Sequence, residues 1–186
     1  MNDFIEKIQK AYNEGDIFTA FDLETTGLDP KTDKIVEIGA VKFDNKGLIA
    51  RFSTLINPGI PMPKEAERVN NISDKMLKDK PAINGVFPDF LRFIQGTILL
   101  AHNTSFDCNF INEKLKEFPS SPFPALPNRI VDTLLLSREV FPAFQSHSLQ
   151  NLASALQINA IDAHRAEDDA RLCMEIFIRC IKARGV

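Results

Sequence analysis

The sequence has few of the residues that mark several classes of protein. Among its 186 residues there are three Cys, one Tyr and no Trp. Small secreted domains that depend on disulfides carry many more cysteines, so we interpret Cys173 and Cys180 as core residues of a reduced protein. No apolar run approaches the roughly 18 residues that a membrane-spanning helix requires. Residues 1–16 lack the apolar region of a signal peptide, and we expect a soluble, cytoplasmic protein with no membrane partner.

The sequence also lacks an excess of positive charge. It contains 22 Lys and Arg against 25 Asp and Glu, which gives a formal net charge of −3. Proteins that attach to nucleic acid by broad electrostatic attraction usually have a strongly basic domain, so this class is disfavoured. An enzyme that holds a few phosphates through metal ions is compatible with this charge.

The remaining composition is that of a globular protein with a phenylalanine core. Hydrophobic residues make up 44% of the chain, charged residues 25%, and 15 residues are Phe. These fractions exclude a disordered chain, and the length fits one domain. We interpret 1–15 as an N-terminal helix and 16–186 as a single domain.

The order of the predicted elements indicates an α/β fold. The first three strands have short connections, which is typical of an antiparallel meander, and strands then alternate with helices. This order predicts a mixed sheet covered by helices. The predicted strands are 17–24, 34–43, 48–56, 97–102 and 129–133. The predicted helices are 3–13, 83–95, 106–118, 133–140, 148–156 and 165–183, with short helical turns around 64–69 and 73–78 and a loop at 121–128.

Asp22 and Glu24 lie two residues apart at the end of an apolar predicted strand. Alternate residues of a strand point to one face, so the two carboxylates lie side by side. Two adjacent carboxylates repel each other, and burial raises that cost unless a cation neutralises them. Taken alone, the pair is equally compatible with solvated acids at an exposed strand end.

Two further acids lie on the apolar faces of predicted helices. Asp107 shares a face with Phe110, Ile111 and Leu115, and Asp169 shares one with Cys173. A lone acid at a helix N-terminus is also explained by the helix dipole.

The neighbouring Asp168 lies on the charged side of the last predicted helix, and we expect it to be solvated. His164 precedes the same helix and would, alone, be read as a loop or capping residue.

Together, these acids predict a metal site. Oxygen-only carboxylate ligands suit Mg²⁺ or Mn²⁺, and no Cys/His spacing indicates zinc. Two such ions can activate a water and stabilise the leaving oxygen of a phosphodiester. His164, which is not a ligand in this scheme, can take the proton from that water.

Three segments of the sequence resemble the exonuclease motifs of the DnaQ-like 3′–5′ exonucleases. They are FDLETTGLDP (21–30), AHNTSFDCNFI (101–111) and HRAEDDA (164–170). The similarity is to the DEDDh group, which includes the epsilon proofreading subunit of bacterial DNA polymerase III and ribonuclease T. It covers nearly the whole chain from about residue 16 onward.

The resemblance implies an RNase H-like fold, with a five-stranded mixed sheet of three antiparallel strands followed by parallel strands and helices on both sides. It implies two divalent ions, Mg²⁺ or Mn²⁺, and stepwise release of nucleoside 5′-monophosphates. The implied substrate is the 3′ end of single-stranded DNA or RNA, and a DNA polymerase is an implied partner.

The resemblance also assigns roles to residues. The four metal-site acids and the general base match Asp22, Glu24, Asp107, Asp169 and His164. The positions around the terminal nucleotide match Thr25, Leu28, Asn103 and Phe106.

The chain departs from the family at Asn70-Asn71, where members often have a His-Gly pair. We expect the metal chemistry to survive this change and the substrate-side loop to differ, so the sequence leaves the choice between DNA and RNA open.

Three alternatives are compatible with parts of the pattern. One is an exoribonuclease of the ribonuclease T type. Another is a haloacid-dehalogenase-like phosphatase, whose opening motif Asp22-x-Glu24-x-Thr26 loosely matches, although that chemistry requires Asp at position 24. The third is a non-catalytic module that docks a polymerase. The chain ends at residues 182–186 without a polymerase-binding tail, which favours a free-standing exonuclease.

Overall fold

The computed structural model describes residues 2–118, 125–161 and 164–185. Its strands are Phe18–Thr25 (β1), Ile35–Asp44 (β2), Gly47–Leu55 (β3), Ile98–Ala101 (β4) and Ile130–Asp132 (β5). Its helices are Asn2–Glu14 (α1), Lys64–Asn70 (α2), Asp74–Leu77 (α3), Ile83–Ile94 (α4), Thr104–Lys116 (α5), Thr133–Val140 (α6), Leu149–Ala155 (α7) and Ala166–Ala183 (α8).

The strands form one five-stranded mixed sheet in the order β3-β2-β1-β4-β5. β1 pairs antiparallel with β2, and β2 pairs antiparallel with β3. β4 runs parallel to both β1 and β5. The predicted fold class is confirmed, and β1 is the central strand, with its carboxyl end beside those of β4 and β5.

Two hydrophobic cores cover the two faces of the sheet. One contains side chains of α1, α6, α7 and α8, and the other contains side chains of α4 and α5. The first core is built on phenylalanine, as predicted. The ring centroid of Phe18 lies 5.6 Å from that of Phe43 and 5.1 Å from that of Phe177. Because α1 contributes Ile5 and Ile8 to this core, it is packed onto the sheet.

A third, smaller cluster lies under the segment between β3 and α4. It consists of Val36, Met62, Ile72 and Leu77, all buried. The amide of Met62 donates to Oδ1 of Asp74 at 2.7 Å, which ties the start of the segment to α3. This packing holds α2 against the carboxyl end of β1.

The predicted elements agree with the structure to within a few residues. The largest differences, of two residues each, are at the two ends of α5, which begins at Thr104 rather than at 106 and ends at Lys116 rather than at 118. The earlier start arises because Asp132 accepts hydrogen bonds from the backbone amides of Asn103 and Thr104, which satisfies two donors at the helix N-terminus. Of the predicted loop 121–128, residues 121–124 lie outside the described part of the chain.

All three cysteines are buried free thiols, so the interpretation of Cys173 and Cys180 as core residues is confirmed. Within the residues that the structure describes, no helix is both long enough and apolar enough to cross a membrane.

Candidate active site

The carboxylates of β1 follow directly from the alternation of its side chains. Phe18 and Ala20 belong to the core beneath α8. Asp22 and Glu24 continue the same face at the carboxyl end of the strand, where that core ends. The sequence prediction that these two side chains share a face is confirmed.

Helix α8 brings Asp169 to these two acids. One carboxylate oxygen from each of Asp22, Glu24 and Asp169 lies within 4.8 Å of the other two. Asp169 is buried, and its Oδ1 accepts a hydrogen bond from Nε2 of Gln150 on α7 at 2.8 Å. The choice of Asp169 as the inward-pointing acid of α8 agrees with this geometry. Gln150 was missed, since a polar residue on a short helix carries no sequence signal for this contact.

Asp107 reaches the site from the first turn of α5. It is buried, and its Oδ1 accepts the backbone amide of Leu23 at 3.1 Å, between the two acids of β1. Its oxygens are not part of the group within 4.8 Å, but its charge acts on Asp22. The four acids named from the sequence therefore meet at one end of the sheet.

Burial of carboxylates, with repulsion among them added to it, dominates the electrostatics of the site. Burial, followed by the charges of Asp107 and Glu24, raises the pKa of Asp22 well above its usual range. Burial and the charge of Asp169 raise the pKa of Glu24 to about 8. Burial also raises the pKa of Asp107, and it raises that of Asp169 to about 6. A nearby cation would relieve this repulsion.

His164 lies immediately before α8 and is exposed. Its backbone has φ +62°, a left-handed conformation that a non-glycine residue adopts at some cost. Its charge and its backbone hydrogen bond both lower the pKa of Asp169, so it lies beside that carboxylate. An exposed imidazole next to the acids can exchange protons with solvent.

Asn70 is a further residue of the site. It is buried at the end of α2, its Nδ2 donates to the carbonyl of Thr25 at 3.3 Å, and its side chain hydrogen-bonds Glu24. Asn71 has φ +57°, a conformation that favours Gly and is next best tolerated by Asn. The Asn-Asn pair thus preserves the turn that a His-Gly pair would make. The sequence marked these positions as a departure without showing the contact with Glu24.

The predicted nucleotide-side residues occupy the turns that surround the acids. Oγ1 of Thr25 donates to the carbonyl of Gly27 at 2.6 Å, and Leu28 is 83% exposed on the same turn. Asn103 is exposed and precedes α5 with φ +70°. The ring of Phe106 packs at 5.1 Å from that of Phe110, so it is partly buried. Their contact with a nucleotide stays a prediction.

The expectation that Asp168 is solvated is wrong. Its side chain is 9% exposed and accepts hydrogen bonds from Nε of Arg171 and from the amide of Ile161, at 2.8 and 2.9 Å. Arg171 also donates to the carbonyl of Asn159 at 2.6 Å. The segment before α8 therefore folds back over this helix face, which periodicity within the helix does not reveal.

The model of the Exonuclease family matches residues 19–177. The chain belongs to this family. It is a 3′–5′ exonuclease, and the acids at the carboxyl end of β1 are its candidate catalytic centre. Family membership decides against the phosphatase alternative.

Two curated relatives of this exonuclease are DNA polymerase III proteins. It is 49% identical over 173 residues to DNA polymerase III subunit epsilon of Treponema pallidum, covering 92% of this chain and 79% of that protein. It is 40% identical over 165 residues to the PolC-type DNA polymerase III of Caldanaerobacter subterraneus, covering 89% of this chain and 12% of the polymerase.

Among solved structures, exonuclease X in complex with 5′ overhanging duplex DNA superposes with a TM-score of 0.72. The identity is 25%, with 91% of this chain and 93% of that chain covered. Exonuclease I superposes with a TM-score of 0.76 at 18% identity, over 90% of this chain and 42% of that chain, which supports the RNase H-like fold.

Proposed function

We propose that this exonuclease uses divalent metal ions to hydrolyse single-stranded DNA from its 3′ end, releasing nucleoside 5′-monophosphates. The observation that carries the proposal is the convergence of Asp22, Glu24 and Asp169 within 4.8 Å, beside Asp107 and His164. Residues from three separate elements meet here at the carboxyl end of the central strand. A core does not require such a concentration of acids.

The donor set fits Mg²⁺ or Mn²⁺. Carboxylate oxygens are the ligands that these hard cations prefer, and within the described residues the group consists of carboxylates only. Asp22, Glu24, Asp107 and Asp169 would hold two ions. When bound, the ions would lower the pKa of a water and stabilise negative charge on the leaving oxygen.

His164 supplies the base in this proposal. Its imidazole is exposed, lies beside Asp169 and takes the proton from the attacking water. Histidine is the side chain that most often serves as a general base, and the exposure of His164 lets it pass the proton on to solvent.

The substrate side is built from the turn after β1 and the start of α5. Leu28 presents an exposed apolar side chain that can pack against a base, and the partly buried ring of Phe106 offers a second apolar surface. DNA is favoured over RNA because the relatives named above are DNA polymerase III proteins and exonuclease X is solved with DNA. For the same reason, we propose that the enzyme acts in the cytoplasm and associates with a DNA polymerase.

One panel of substrates tests the proposal. DNA and RNA oligomers, single- and double-stranded, carry either a 5′ or a 3′ label and are incubated with Mg²⁺, with Mn²⁺ or with EDTA. We expect 5′-labelled single-stranded DNA to shorten stepwise, 3′-labelled DNA to release a labelled mononucleotide at once, and EDTA to stop both. Full activity in EDTA would exclude the metal mechanism. Preference for RNA would favour the exoribonuclease alternative.

A further inference from the structure

We propose that the partly buried ion pair between Glu37 and Arg165 is a positioning device for the catalytic centre, holding His164 and Asp169 against the carboxyl end of β1. Neither residue would touch the substrate. The proposal rests on the proposed function, and its test is arranged so that the two can fail separately.

Glu37 is an acid near the start of the apolar strand β2, and it is 1% exposed. Its carboxylate is held by the guanidinium of Arg165. Nε of Arg165 lies 3.2 Å from both oxygens, and Nη2 lies 2.6 Å from Oε1. The amide of Ala166 donates to Oε2 at 3.2 Å. A buried carboxylate of this kind is stable because its charge is paired and both oxygens accept hydrogen bonds.

These contacts separate Glu37 from the metal-site acids, although it lies beside them. Glu37 is the cross-strand partner of Glu24, and both point to the face covered by α8. Its oxygens are directed to Arg165 and Ala166, and it is not a member of the carboxylate group within 4.8 Å. Glu37 is therefore a positioning residue rather than a fifth ligand.

The pair fixes the backbone between His164, which precedes α8, and Asp169, which lies in its first turn. His164 directly precedes Arg165 and has the left-handed φ of +62°, which surrounding contacts must sustain. The carbonyl of Arg165 accepts the amide of Asp169 at 3.0 Å, which closes the first turn of the helix. A shift of Arg165 would therefore move the imidazole on one side and the carboxylate on the other.

Gly39 makes this anchor possible. It pairs with Asp22 across β1 and β2, and a Cβ at this position would lie 2.0 Å from the carbonyl carbon of Ala166. The absence of a side chain lets the start of α8 approach the sheet next to Asp22. Glu37 and Gly39 lie two residues apart on one face of β2 and act on the same end of α8. Glu37 holds this end by the ion pair, and Gly39 leaves room for it to approach the sheet.

The test compares Glu37→Gln and Arg165→Met with Arg165→Lys. Arg51→Met is the matched control, because the Arg51–Glu167 pair also joins the sheet to the first turn of α8 but is 49% and 32% exposed. For each purified full-length variant we would measure the Tm, the Mn²⁺ affinity by calorimetry, and kcat and KM on a labelled single-stranded oligomer far below the Tm.

We expect Glu37→Gln and Arg165→Met to lower kcat by roughly 10²-fold, the effect of misplacing catalytic groups by about 1 Å, with KM little changed. Arg165→Lys should recover part of the loss, because it keeps the charge but not the two-pronged contact. Arg51→Met should match the wild type.

Wild-type kcat in a folded Glu37→Gln or Arg165→Met protein would overturn the positioning role, whatever happens to the Tm. A loss confined to KM would do the same. If Glu37→Gln does not fold, Arg165→Lys still tests the proposal, because the side chain of Arg165 is 31% exposed and tolerates substitution better. An unchanged kcat in Arg165→Lys would contradict the positioning role. An inactive wild type would instead refute the proposed function alone.

Discussion

At the scale of single residues, this protein is organised around negative charges placed where a core would exclude them. Asp107 and Asp169 are almost fully buried, and Asp22 and Glu24 are half-buried beside them. Each has a raised pKa, because burial and like charges both penalise the ionised form. Such an arrangement is costly for the metal-free protein and useful for holding cations.

Asp22→Asn should stabilise the metal-free protein and at the same time abolish its activity. The change removes one of four mutually repelling charges and keeps the shape of the side chain, so we expect a higher Tm for the metal-free protein at pH 8. Exonuclease activity with Mg²⁺ should be abolished, because the proposed metal site would lose a ligand. Thermal melts in EDTA and the labelled-oligomer assay measure the two effects.

The partly exposed acid Glu167, in the first turn of α8, provides the control for this experiment. Glu167→Gln should leave the activity nearly unchanged. An active Asp22→Asn protein would contradict the assignment of Asp22 to the metal site.

His164→Ala should lower kcat by roughly 10²–10⁴-fold, the usual contribution of a general base. Because His164 is not proposed as a ligand, Mn²⁺ affinity measured by calorimetry should stay close to that of the wild type. His147→Gln changes a histidine whose Nε2 is bonded to the carbonyl of Phe141, and should retain most activity. Wild-type turnover in His164→Ala would remove the base assignment and leave the metal site in place.

At the scale of elements, the N-terminal ends of helices position the residues of the site. α5, α6 and α8 all begin at the carboxyl-end edge of the sheet, and two of them deliver an acid in their first turn. Asp132 joins two of these starts. It accepts the amides of Asn103 and Thr104 before α5 and those of Leu134 and Leu135 in α6.

Asp132→Ala should therefore destabilise two helix starts at once. The loss of capping costs about 1 kcal/mol for each helix, or about 2 kcal/mol in total. In a protein of this size that corresponds to a fall in Tm of roughly 4–8 °C. Asp132→Asn keeps one acceptor oxygen and should lose less. An unchanged Tm for Asp132→Ala would show that these hydrogen bonds are replaced by water without cost.

At the scale of the whole molecule, the candidate site explains part of the net charge of −3. Part of the acidity is concentrated at one end of the sheet, where bound dications would neutralise it. The Tm of the protein should therefore respond most strongly to metal at pH values at which these acids are ionised.

We expect the Tm of the metal-free protein to fall as the pH rises from about 5 to 8.5. The folded-state pKa of Glu24 is raised from 4.5 to about 8 and that of Asp169 from 3.8 to about 6. A raised pKa adds stability that is fully present below the unfolded-state value and is lost as the pH passes through the folded-state value. Melts in EDTA across this range measure the effect.

Saturating Mg²⁺ should flatten this pH dependence. At 100 times the Kd, a ligand that binds only the folded state adds about 2.7 kcal/mol of stability. A Tm that is independent of pH in EDTA, or of Mg²⁺ at pH 8, would contradict the electrostatic description of the site.

The sequence by itself determined the strands and helices, the mixed sheet and the identity of the clustered acids. It could do so because alternation in strands and the helical repeat place each acid on a definite face, and because the three motifs resemble a known family. The inward direction of Asp169 is an example, since its helix face alone selected it over Asp168.

Only the tertiary structure decided which residues support those acids. The pairing of Glu37 with Arg165, of Gln150 with Asp169 and of Asn70 with Glu24 joins residues of separate elements. The burial of Asp168 has the same origin, because the segment before α8 folds back to cover it. Local periodicity describes one element at a time, whereas these contacts depend on how closely separate elements approach one another.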